Sequence, residues 1–129
     1  MTHMDLRLEL VQVPVADVDR AKTFYTEIVG FRADHDTRLS DVVRVVQLTP
    51  PGSACSIAIG TGLSDMRPGS VEGLQLTVTD MDAARGALIA RGLDVSDVVV
   101  LGRPGRPGFK HAYFRDPDGN GWALQEIAV

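Results

Sequence analysis

The sequence predicts an α+β fold of two tandem βαβββ modules, on three observations. Gln12 to Ala21 reads QVPVADVDRA and Gln75 to Ala84 reads QLTVTDMDAA, so Gln, Val, Asp, Asp and Ala recur in register 63 positions apart. Each copy leads into one apolar helical stripe and then three short extended segments. The turns Pro50, Pro51, Gly52, Ser53 and Pro117, Asp118, Gly119, Asn120 also correspond, at an offset of 67. A repeat of this size marks a supersecondary unit that buries its apolar face against its partner. One domain over 1–129 is expected, with modules at 6–60 and 72–128, and function is sought where the halves meet.

In the first module Leu6 to Val15 alternates as a strand does, and Asp17 offers an N-cap to the helix that follows. Ala21, Phe24, Tyr25 and Ile28 fall at i, i+3, i+4 and i+7 on one helical face, and Gly30 stands where a left-handed C-terminal residue belongs. The helix is expected to end near Val29. Three strands are then predicted at Phe31 to Asp36, Asp41 to Leu48 and Cys55 to Ile59, the last two joined by the Pro50, Pro51, Gly52 turn.

The second module repeats the order. Leu74 to Val78 reads as a strand, and Thr79 with Asp82 three residues on forms an acidic variant of a capping box. Met81, Ala84 and Leu88 make the buried stripe and Gly92 closes the helix. Val95 to Leu101, Lys110 to Phe114 and Gly121 to Ile127 supply three strands. Thr61 to Ser70 joins the modules. Gly102 to Gly108, GRPGRPG, lacks the spacing and the lysine of a phosphate-binding loop, leaving a solvated loop or an anion-binding lip of Arg103 and Arg106.

Composition narrows the partners. No apolar run approaches the roughly 18 residues of a membrane span, and the start lacks a secretory pattern, so a cytoplasmic protein without membrane contact is expected. Cys55 is the only cysteine, which excludes an intrachain disulfide and a Cys-rich zinc site. It reads as a small buried residue. A net charge of -4 repels phosphate backbones, so no nucleic-acid partner is expected.

A helix entry of the form VxDxxxAxxFY, here Val15, Asp17, Ala21, Phe24 and Tyr25, together with FxDPDGN at Phe114 to Asn120, resembles the vicinal oxygen chelate superfamily. That group includes glyoxalase I, extradiol dioxygenases, and fosfomycin-modifying and bleomycin-sequestering proteins. The resemblance covers nearly the whole chain and implies a curved eight-stranded mixed sheet, helices on its convex face and a ligand on its concave face. It also implies metal ligands seven residues before each capping Asp and three after each turn. Those positions are Leu10, Gly73, Ser56 and Ala123, and none is His, Glu or Gln. A catalytic divalent cation normally needs at least three good donors, so no cofactor is expected; a divalent metal would require atypical ligands. Substituting Ala58 for Ser56, a slip of two residues, leaves this unchanged.

Alternation along a strand sets which residues share the inner face. Gln12 falls with Leu10, Gln75 with Gly73 and Gln125 with Ala123, three neutral amides that either contact a ligand or bond one another and water as structural plugs. His111 and Tyr113 look inward if Phe114 packs under the helices. Tyr113 then serves as a wall, while His111 is a hydrogen-bonded surface histidine, a ligand contact or a base. Trp122 and Leu124 belong to the core unless a bulge follows the turn. Glu126 is the one carboxylate at the edge of the last strand, and Asp116 and Asp118 read as turn formers.

Two functions follow from the resemblance. One is a protein that binds or sequesters a hydrophobic or mildly polar compound, as antibiotic-resistance members do, through Gln12, Ser56, Gln75, His111, Tyr113 and Gln125. The alternative is a lyase, isomerase or dioxygenase acting on a small carbonyl or phenolic substrate, with atypical metal ligands or with His111 or Glu126 as acid and base. Whether the chain is an enzyme stays open between them. A homodimer is expected in either case.

Overall fold

A computed structural model describes residues 3–127. The chain divides into two compact units, one ending at Met66 and the other beginning at Arg67. Residue 128, the expected end of the second module, lies outside the described residues.

In the first unit β1 (Leu10–Gln12) leads to α1 (Val18–Thr23), which runs on into a π-helical stretch, Phe24–Val29. β2 (Arg32–Arg38), β3 (Arg44–Thr49) and β4 (Ser56–Thr61) follow. The sheet order is β1-β4-β3-β2, parallel between β1 and β4 and antiparallel elsewhere. Asp17 caps α1 by accepting from the Arg20 N–H at 3.0 Å. The helix ends where expected, at Gly30, whose φ of 96° suits a residue without a Cβ. Its wide last turns send the N–H groups of Gly30 and Phe31 to the Tyr25 carbonyl, and the Tyr25 and Phe31 rings stack at 5.5 Å. Val46, Leu48, Ile57 and Ile59 lie buried on the same side of the sheet as this helix's apolar stripe.

The second unit repeats the arrangement with β5 (Leu74–Val78), α2 (Met81–Ala90), β6 (Val99–Leu101), β7 (Phe109–Arg115) and β8 (Gly121–Glu126), in the order β5-β8-β7-β6. Asp80, rather than Thr79, caps α2, accepting from Ala83 N–H at 3.0 Å. This is the Asp17 interaction transposed by 63 residues. Ala112, Phe114, Trp122 and Leu124 are buried with Met81 and Leu88, and the Phe114 and Trp122 rings lie parallel at 5.9 Å. Burying such side chains contributes about 1.5–3 kcal/mol each, which commits that face to the core.

Three strands are shorter than expected by two residues or more, each for a local reason. β1 pairs only beside β4: Glu9 carbonyl accepts from Ser56 N–H and Val13 N–H donates to Ala58. Among the described residues, 3–8 have no strand alongside, and Pro14 has no N–H to continue the ladder. β3 begins at Arg44 because Leu39 and Ser40 donate to the Val43 carbonyl and spend the preceding residues on a turn. β6 pairs only from Val99, since Val95 is buried and Ser96 is tied to Tyr113 by both its N–H and its hydroxyl. No helix among the described residues is long and apolar enough to cross a membrane.

Candidate functional site

Each sheet has one face packed against its helix, and strand register assigns side chains to the opposite face, called the open face although Ser56 and Ala58 of the first unit are buried on it. In the first unit Gln12 pairs with Ala58, and Ala58 with Gln47, a row of amide, methyl and amide across three strands. The second unit has Gln75 paired with Ala123 and Ala123 with Tyr113. Gln12 and Gln75 are repeat equivalents, so Ala58, not Ser56, is the counterpart of Ala123. Insertions between repeated elements hide such a two-residue slip from a single sequence.

The next row of the second unit is Thr77, Gln125, His111 and Val99. Gln75 donates from Nε2 to Gln125 Oε1, a short contact that joins the two rows. His111 Nδ1 lies 3.0 Å from the Phe109 carbonyl, and its ring runs nearly parallel to that of Tyr113 at 6.5 Å. Ala112 and Phe114, which alternate with them in sequence, are buried, as alternation requires. Gln75, Gln125, His111 and Tyr113 thus share one surface that carries polar groups beside an aromatic wall.

Glu126 is placed differently. Its Oε2 accepts from the Met81 N–H at 2.8 Å, so the carboxylate faces the helix and satisfies one donor at the positive end of α2. Cys55 is half-buried rather than fully enclosed, with Sγ 3.6 Å from the Ser56 carbonyl.

Beside the second unit's open face a cleft of about 550 Å³ is lined by Glu72, Ser96, Tyr113, Arg115, Gly121 and Trp122, among others. Such a volume is in the range of small-molecule sites. Arg115 Nη1 donates to Glu72 at 2.6 Å, and the carboxylate raises the guanidinium pKa. A Cβ on Gly121 would come within 2.3 Å of a Glu72 carboxylate oxygen, so any larger residue there would push the Glu72 tip aside.

The first unit carries a polar cluster that sequence reasoning reached only through Ser56. Ser56 and Thr49 hydroxyls lie 2.6 Å apart, Gln47 Nε2 is 3.3 Å from Ser56 Oγ, and Thr49 donates to Asp34 in a short contact. Arg32 Nε donates to Asp34 at 2.6 Å. The Thr49 hydroxyl and then Arg32 hold the Asp34 carboxyl below the usual carboxylate range. Asp34 gave no sequence signal because β2 shifts register between Ala33 and His35, which breaks the alternation.

The residues at the superfamily's metal positions do not fit a divalent ion. Leu10, Gly73, Ala58 and Ala123 present alkyl groups or none, and Ser56, the other assignment, has its hydroxyl engaged by Thr49 and Gln47. Among the described residues no group of three His, Cys, Asp or Glu side chains converges as a cation site.

The chain matches the model of the Glyoxalase/Bleomycin resistance protein/Dioxygenase superfamily over residues 7–124. Among solved structures it is similar to TnmS3, an antibiotic binding protein from Streptomyces sp. CB03234, at 35% identity and a TM-score of 0.82, covering 98% of this chain and 100% of that one. A glyoxalase/bleomycin resistance protein from the same organism is 35% identical with a TM-score of 0.76, covering 93% and 100%. A superfamily member from Sphaerobacter thermophilus DSM 20745 is 29% identical with a TM-score of 0.83, covering 97% and 100%. No curated protein matches.

Proposed function

The chain belongs to the glyoxalase/bleomycin resistance protein/dioxygenase superfamily, and from that premise we propose that it binds and sequesters a hydrophobic or mildly polar small molecule of the antibiotic type. The observation that carries this reading is the pair of rows centred on Ala58 and Ala123. Where a metal-using member would hold ligands, this chain has methyl groups flanked by Gln12 and Gln47, or by Gln75 and Tyr113. A methyl floor with neutral amides and an aromatic wall suits uncharged recognition: the ring excludes water and the amides both donate and accept. The likeness to TnmS3, named as an antibiotic binding protein, supports the same reading.

The reading extends to a cytoplasmic homodimer with a small-molecule partner and no membrane or nucleic-acid contact. Exposed Val99, Val100 and Leu101 on edge strand β6 support self-association. Of the acid and base candidates for the alternative, an isomerase- or dioxygenase-type enzyme, His111 stands on the open face, whereas Glu126 is engaged with α2.

Calorimetric titration of the purified protein with bleomycin and a panel of aromatic antibiotics tests the proposal, with mass spectrometry of the compound afterwards. Saturable binding with the compound recovered unchanged and without added metal is expected. Chemical conversion, or binding that needs a stoichiometric divalent ion, overturns it.

A further inference from the structure

We infer that Asp34 anchors a one-directional hydrogen-bond chain that turns the Gln47 amide so that its carbonyl oxygen is displayed, making this part of the first unit's open face a subsite for a ligand hydrogen-bond donor such as a phenol, alcohol or amide N–H. The inference rests on the binding role proposed above and adds the polarity of one subsite.

An ionised carboxylate can only accept, and a hydroxyl carries a single proton. Thr49 gives its proton to Asp34. The Ser56 and Thr49 oxygens at 2.6 Å can then be joined only by the Ser56 proton. With that proton spent, Ser56 must accept from Gln47 at 3.3 Å, so Nε2 of Gln47 points inward and Oε1 is the atom left to display. Four side chains have one consistent arrangement, and the charge of Asp34 chooses it. Arg32 at 2.6 Å favours that charge.

Burial makes the arrangement durable. Thr49 and Ser56 are 5% and 4% exposed, so water does not compete for their protons, whereas Gln47 is only half-buried. Gln47 also stands across from Ala58, in the position that Tyr113 occupies across from Ala123. The displayed oxygen therefore belongs to the row proposed to bind. Asp34 and Thr49 are positioning residues that act through Ser56 and Gln47 without touching the ligand.

Phenol and anisole, which differ by the hydroxyl proton, are suitable probes, titrated against isotope-labelled protein while the backbone amide signals of Gln47 and Ala58 are followed. Phenol is expected to bind with a preference of about fivefold, the worth of one neutral hydrogen bond. Thr49→Ser should keep that preference and Thr49→Val should erase it. Asp34→Asn, whose amide can donate to Thr49, should erase or invert it. Nuclear Overhauser contacts should place the Gln47 side-chain amide protons against the Ser56 methylene. An undiminished phenol preference in folded Thr49→Val, or Gln47 amide protons directed at the open face, overturns the inference while leaving antibiotic binding untouched. If Gln47 is oriented as stated and neither probe binds, the subsite is overturned; antibiotic titrations then decide separately whether the binding role stands.

Discussion

Asn120 donates from Nδ2 to the Asp116 carboxylate at 2.7 Å and accepts at Oδ1 from the Val71 N–H at 3.1 Å. The same Asp116 carboxylate accepts from the backbone N–H groups of Asp118, Gly119 and Asn120, and Gly121 N–H returns to the Val71 carbonyl. The β7–β8 turn is thereby fastened to the segment that enters β5. The DPDGN sequence works as a rivet, with Asp116 as the turn former that collects its N–H groups.

Asn120 is fully buried, so Asn120→Ala should leave the Asp116 carboxylate and the Val71 N–H without this partner and cost about 2–4 kcal/mol. Asp116→Ala should cost a similar amount, and the double variant less than the sum because both act on one network. Urea unfolding checks this; a loss under about 0.5 kcal/mol in either single variant would show that this network does not fasten the turn.

Glu126→Gln should lower stability by about 0.5–1.5 kcal/mol, since the amide oxygen keeps a contact to Met81 N–H but loses the charge that favours a helix N-terminus. Ligand affinity should stay within about twofold, because the group lies on the helix side of β8. A large loss of binding or turnover at wild-type stability would restore Glu126 to the functional groups.

Much of this was legible in the chain because it depends on short-range periodicity. Asp17 announces the first helix, Gly30 ends it where expected, and alternation separates Ala112 and Phe114 from His111 and Tyr113. What was not legible depends on pairing across strands. The correspondence of Ala58 with Ala123 comes from ladder register, and the Asp34 cluster from an irregularity in β2 that displaces a side chain from its period-2 face. Thr49 lies beyond the expected strand end at Leu48, next to a proline turn, and only the folded β4 brings Ser56 against it. Thr79 and Asp80 both satisfy the local capping pattern, and only backbone geometry distinguishes Asp80 as the cap.

Tyr113→Ala and Gln125→Ala should separate binding from stability. Tyr113 is 41% exposed, so its truncation should change stability by less than about 1 kcal/mol, whereas loss of an aromatic wall should weaken binding roughly tenfold or more. Gln125→Ala removes the partner of Gln75 and should weaken binding of polar aromatic compounds more than of apolar ones. Titration and thermal melting of the same samples check both; affinity that merely tracks melting temperature would argue against a ligand on this face.

Asp36 receives Arg44 Nε at 2.9 Å, Arg44 Nη2 at 2.8 Å and Lys22 Nζ at 2.8 Å, which ties β2, β3 and α1 together at the surface. Arg44 and then Lys22 hold its carboxyl well below the usual carboxylate range, and Asp36 in turn raises the Arg44 guanidinium. A carboxyl depressed in the folded state favours folding above its unfolded pKa, near 3.8, and this contribution disappears as pH falls towards the lower folded value. Asp36 and Arg44 side chains are 29% and 17% exposed, so screening limits the network to about 1 kcal/mol. Asp36→Asn should therefore be less stable than the parent by a constant margin from about pH 7 to about pH 5, with the margin closing below about pH 4. Added salt should also narrow it. Urea unfolding across that pH series is the measurement, and a margin that stays constant down to about pH 2.5 would show that packing, not charge, sets the effect.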